Sequence, residues 1–198
     1  MNAREAQESR SQHSPVWGSV GLMMSMAIPA AVAVIGIALL GWGEISWLGA
    51  IVWGVVATIA FTLFSMMGKA VGMTRMDLLD LLGSMVAPVG SKASRAIGAL
   101  IHHANGALLA IAWAYGVALM GLPANWLTAL GWGVILWILA LLMMSTIGAV
   151  HPAIRRGDQE DPGPGATNFG AMTPVGSLMG HLVYGLVLGV AYQAWPLG

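Results

Sequence analysis

Five histidines stand in a chain of 198 residues that contains no cysteine. Four of them, His102, His103, His151 and His181, fall inside or at the ends of apolar stretches. An ionisable side chain is costly there and tends to mark a function. Imidazole nitrogens ligate haem or another tetrapyrrole, iron, zinc or copper, and they also relay protons. His102 and His181 could bind one tetrapyrrole axially, or two singly. Gly98 and Ser177, each four residues earlier, would ease the packing of a flat ring. Each imidazole alone has an equally good structural use, a hydrogen bond to a carbonyl or to Asn105 across helices. As a group they point to a site, with Asp77 and Asp80 as the nearest acids.

Other chemistries are weaker. Neither His-Glu-x-x-His nor Glu-x-x-His spacing occurs, so a zinc hydrolase or di-iron carboxylate centre is not expected. Most of the 14 methionines share the half of the chain's apolar segments that holds the histidines. Thioethers beside imidazoles suit Cu(I), although methionine more often fills irregular gaps in a core. Copper, iron and zinc therefore rank behind a tetrapyrrole. Without cysteine, thiolate catalysis, iron–sulfur ligation and disulfides are excluded. No nucleophile motif is present, so no catalytic residue is assigned. A proton or solute pathway would need polar groups across the bilayer, and they are confined to one half of it.

These residues are carried on very apolar segments. The composition is 58% hydrophobic and 8% charged, against about a quarter charged in soluble domains. Eight Lys and Arg balance eight Asp and Glu, which leaves no electrostatic case for nucleic acid. The expectation is an all-α polytopic bundle in a lipid bilayer, with spans near 18–42, 47–68, 97–121, 125–150 and 173–195. Pro29 would kink the first. A polar leader, Met1–Val16, precedes the bundle, and an amphipathic interfacial or re-entrant helix is expected over 73–86. In that helix Asp77, Asp80 and Ser84 share one face, best read as solvated. The alternative aims an acid at His102 or His103.

With five spans, all eight Lys and Arg fall on one side, which the positive-inside rule makes cytoplasmic, with the C-terminus outside. Trp42, Trp47, Trp126, Trp132 and Trp195 would line the outer interface and Trp17 the inner one.

Small residues recur every four positions, with a histidine taking one place in two of the series, the pattern of close helix packing: Ala50, Gly54, Thr58 and Thr62; Gly98, His102, Gly106, Ala110, Ala114 and Ala118; Ser177, His181, Gly185 and Gly189. The third and fifth spans also correspond, His102, Gly106, Ala110 and Trp113 matching His181, Gly185, Gly189 and Tyr192 in spacing. The long loop from His151 to Thr173, with its Asp161-Pro-Gly-Pro-Gly165 run, reads as a connector or a partner surface.

Small size and the lack of a catalytic motif point first to a non-catalytic accessory or assembly subunit, docked on other membrane subunits or on itself. The alternative is a small membrane redox, metal- or tetrapyrrole-binding protein using the histidines of the cytoplasmic leaflet.

From about Gly54 onward the chain resembles a family of small bacterial inner-membrane proteins of unknown function. The resemblance is carried by Ala57-Thr58 with Thr62, Asp77 with Leu82-Gly83, and Ile101-His102 with Gly106 and Tyr115. It closes on Asn168-Phe169-Gly170, Gly180-His181-Leu182, Tyr184-Gly185, Leu188-Gly189 and Tyr192. It implies a four-helix core in the bacterial cytoplasmic membrane, here preceded by an extra helix, and brings no activity.

Overall fold

A computed structural model describes the chain from residue 15 to residue 197, with side chains from Met26 onward. The polar leader therefore lies almost wholly outside the described residues, as do the side chains of Trp17, Met23 and Met24. Among the described residues every regular element is helical. The long helices are α1 (Pro15–Leu40), α2 (Trp47–Ala70), α4 (Lys92–Leu119), α5 (Trp126–Thr146) and α7 (Thr173–Ala194). The short ones are α3 (Leu78–Gly83) and α6 (Pro152–Arg156), with 3-10 turns at Trp42–Glu44, Ile147–Ala149 and Pro164–Phe169. Four of the long helices are apolar and long enough to cross a membrane, and α1 contributes a shorter apolar helix over Met26–Leu40. Pro29 lies within α1 without ending it.

The helix starts follow from their caps. Ser46 accepts a hydrogen bond from Gly49 N at 2.9 Å, and Ser91 accepts one from Ser94 N at 3.0 Å. Asn125 and Thr128 form a reciprocal capping box. Such caps satisfy amides that a helix leaves unpaired. The cap at Ser91 starts α4 at Lys92, five residues before the apolar pattern begins at Ile97. Lys92 and Arg95 in its first turn look like loop in sequence because they are polar.

The long helices form a closed ring in the order α1, α4, α2, α7, α5. Small residues set how closely neighbours approach. A Cβ on Gly106 would overlap Thr58 Oγ1, and one on Gly54 would press on Ala110 and Ala107, so the ridges of α2 and α4 interlock. Gly185 and Gly189 lie against Ala129 and Trp126 of α5. The ridge of α4 thus meets α2, and the ridge of α7 meets α5.

The two ends of the ring differ. At one, Trp42 stacks on Trp47 with ring centroids 4.5 Å apart. Tyr115 donates to Gly41 O at 3.1 Å, and Trp53 Nε1 donates to Trp195 O at 2.6 Å. At the other end Asp77 pairs with Lys69 at 2.9 Å and Arg95 at 3.4 Å, and Arg75 pairs with Glu160 at 3.0 Å.

At that charged end α3 is shorter than expected, and its polar face turns inward. Asp77 caps it, and Asp80 and Ser84 are 6% and 2% exposed. The solvated reading of those two residues is therefore overturned. Gly83 and Gly98 bring α3 into backbone contact with α4, where a Cβ on either would overlap a carbonyl of the other helix. Asp80 then accepts from Ser94 Oγ at 2.6 Å and Gly90 N at 2.8 Å, which offsets its burial. The long loop packs under the bundle rather than standing free. Gly165 N donates to Ser145 Oγ at 2.8 Å and Arg75 N to Phe169 O at 2.7 Å. Ala166 and Phe169 join Leu81 and Met144 in a small second core.

Candidate functional site

Near the charged end the ring surrounds a partly open cavity of about 120 Å³. Every long helix contributes to its wall: Met26 from α1, Thr58 and Phe61 from α2, His102 and Asn105 from α4, Met143 and Met144 from α5, and Ser177, His181 and Tyr184 from α7. Met76 and Leu82 close one end beside Ala166 and Thr173.

His102 and His181, paired in the sequence by spacing, share this wall. Their helices both pack on α2, and Phe61 of α2 stands edge-on to both rings, with centroids 5.3 Å from His102 and 4.9 Å from His181. At the other end of the same correspondence Trp113 and Tyr192 meet edge to face at 5.4 Å. The spacing match between α4 and α7 thus places one pair on Phe61 and the other in direct contact. Tyr184 donates to Gly106 O at 2.6 Å, a direct link between the two helices beside the cavity.

The ring nitrogens differ in how they are engaged. His181 Nδ1 lies 2.8 Å from Ser177 O. Bonding to a carbonyl requires the proton on Nδ1, so Nε2 carries the free lone pair of the neutral ring. His102 Nε2 is buried and has no hydrogen-bond partner among the described residues. A buried polar atom left without a partner costs roughly 1–3 kcal/mol, which a ligand would relieve.

The remaining candidates are placed elsewhere. His103 bonds Ala99 O through Nδ1 at 2.7 Å and touches His102 edge to face at 5.9 Å, but it is not in the cavity wall. His151 is fully buried, with Nε2 2.9 Å from Leu81 O and Nδ1 accepting from Ile154 N at 3.4 Å. Both its nitrogens are occupied in capping α6 and fastening α3. Asp80 serves Ser94 and Gly90, and Asp77 serves Lys69 and Arg95. Burial raises the Asp77 carboxyl, but the hydrogen bond from Lys69, the amide of Asp80 and the charges of Lys69 and Arg95 together hold it below its ordinary 3.8. Neither acid reaches the histidines by a hydrogen bond.

This geometry tests the cofactors expected from sequence. A cavity of this size suits a few waters, one small ring or a metal ion, whereas a tetrapyrrole is several times larger. Phe61 also packs directly against both imidazoles. A haem or other tetrapyrrole does not fit. No group of three His, Asp or Glu residues among the described residues is arranged to hold a metal, and no carboxylate lines the cavity.

Sequence reasoning missed Phe61 and Tyr184 as wall residues. Phe61 lies three residues after Thr58, next to the small-residue ridge of α2, and that large side chain among small ones was the available signal.

No curated protein and no solved structure matches the chain. Residues 45–196 match the profile of a family of unknown function, DUF6789, so α1 precedes the matched region and closes the ring around it. The chain belongs to that family of multi-pass helical proteins, DUF6789.

Proposed function

We propose that this protein binds a small ligand or metal ion inside its membrane bundle, through His102 and His181, and catalyses no reaction of its own. One observation carries the reading: His102 Nε2 is buried and unpartnered among the described residues, at a cavity it shares with His181. The proposal places the protein in a bacterial cytoplasmic membrane, N-terminus inside, with the site in the inner leaflet. Support comes from the Lys and Arg residues, which all fall in the leader or in the helix ends and connections at the charged end.

The test is native mass spectrometry and elemental analysis of the full chain purified in mild detergent. The expected result is a retained ion or small molecule that His181→Ala loses while keeping the gel-filtration profile. The same composition in both proteins would contradict the reading.

A second reading, an accessory or assembly subunit, is favoured by the apolar outer face of α1, where Val34 and Leu39 are 64% and 72% exposed. A partner subunit, a second copy or lipid would cover that face. Extraction in mild detergent as a homogeneous monomer would count against this role.

A further inference from the structure

We infer that the ligand of the cavity is a soft monovalent metal ion, Cu(I), held by His102 and His181 with methionine thioethers. The inference rests on the proposed role of the cavity and names its occupant.

Three independent features converge. His181 presents Nε2 with its Nδ1–H tied to Ser177 O at 2.8 Å. Metal-bound histidines use this arrangement, because a hydrogen bond to the remote nitrogen fixes the tautomer and the ring orientation. His102 supplies a second buried imidazole nitrogen that lacks a partner among the described residues. Met26, Met76, Met143 and Met144 line the same cavity, from three different segments of the chain. Thioethers with neutral imidazoles form a soft donor set that selects Cu(I) over Zn(II), Fe(II) or Mg(II).

Charge argues the same way. Among the described residues the cavity wall contains no Asp, Glu, Lys or Arg. A divalent ion there would keep its full charge in an apolar setting, and by the Born relation its desolvation costs about four times that of a monovalent ion. Zinc and iron sites normally recover that cost with thiolates or carboxylates, which this wall lacks. Cu(I) demands neither an anionic ligand nor a high coordination number, and Phe61 packs an apolar ring against both imidazoles.

The experiment is an anaerobic titration of the detergent-purified full chain with Cu(I), in competition with the chromophoric chelator bicinchoninate. Zn(II) and Co(II) are titrated in parallel. The inference expects one Cu(I) per chain, bound in preference to both divalent ions. His102→Ala and His181→Ala should each weaken binding at least about tenfold, and Met143→Leu with Met144→Leu should weaken it while preserving size and shape. His103→Ala, outside the cavity wall, should leave it unchanged.

Binding indifferent to both histidine substitutions in folded protein would overturn the inference. So would Zn(II) or Co(II) bound with the same histidine dependence in place of Cu(I), but that outcome would leave the cavity as a ligand site. Should no metal bind, native mass spectrometry separates the two claims. A retained organic molecule would overturn copper alone, and no retained molecule would overturn the site as well.

Discussion

The Nδ1 of His181 is bonded to the carbonyl oxygen of Ser177 one turn earlier, at 2.8 Å. Nothing in this contact depends on another helix, so α7 fixes the ring's tautomer by itself. The contact also uses a backbone atom, which leaves residue 177 free to be small, and Ser177 and His181 can both face the cavity. His102 shows no such bond. α4 and α7 therefore match in spacing without matching in hydrogen bonding: His181 is tied to its own helix, and His102 Nε2 has no partner among the described residues.

The α2–α4 seam predicts a coupled pair. Gly106→Ala puts a methyl where Thr58 Oγ1 stands, and overpacking of this kind costs roughly 1–3 kcal/mol. Thr58→Ala should remove much of that penalty, giving about 1 kcal/mol of coupling or more in a double-mutant cycle read by thermal unfolding. Additive effects would show that the seam relaxes independently of this contact.

His151 and His181 should separate stability from binding. His151→Ala empties a fully buried position and frees Leu81 O and Ile154 N, so stability should fall by roughly 2–4 kcal/mol. Metal stoichiometry in the fraction that remains folded should be unchanged. A loss of binding with no loss of stability would bring His151 back into the site.

The pH dependence of Asp77 has a defined sign. Its folded carboxyl is held below the ordinary 3.8, so its contribution is fully present above that value and declines as pH falls through the folded value. Asp77→Asn should lower the melting temperature at pH 7 but have progressively less effect below pH 3.8. Its partners are partly exposed, so the effect at pH 7 should be small and should shrink with added salt. A difference that grows on acidification would contradict the Lys69–Asp77–Arg95 network.

Ala166 is a buried non-glycine residue with φ 66° and ψ 22°, in the left-handed region. Ala166→Gly trades relief of that strain against the lost methyl and should be neutral within about 0.5 kcal/mol. Ala166→Val, branched at Cβ, should cost about 2 kcal/mol or more. The ratio of the two melting shifts checks the backbone conformation of the loop.

The absence of cysteine makes the orientation directly testable. Val89→Cys at the charged end and Leu122→Cys at the opposite end both replace exposed side chains. A membrane-impermeant maleimide applied to intact spheroplasts should label only Leu122→Cys. Labelling of Val89→Cys alone would invert the topology.

The long helices were legible because lipid leaves their apolar residues unbroken. The seams were legible because close approach demands small residues at every fourth position, and Gly106 against Thr58 realises that demand. The charged end was less readable. Asp80 and Ser84 look solvated in sequence, since nothing local shows that Gly83 and Gly98 let α3 press onto α4 and enclose them. His151 resembles a ligand for the same reason: its partner, Leu81 O, is 70 residues away. His102 and His181, paired in the sequence by spacing, line one cavity. The cavity's size and the place of Phe61 within it depend on how five helices close around it, and that depth of packing excludes the tetrapyrrole suggested by the flanking small residues.

The most direct test of the account follows the imidazole nitrogens themselves. In the detergent-purified protein labelled with ¹⁵N-histidine, Cu(I) should shift the Nε2 resonances of two rings, assigned through His102→Ala and His181→Ala, and leave those of His151 in place. Resonances of His102 and His181 that stay fixed while copper binds, or shifts confined to His13 or His151, would contradict it.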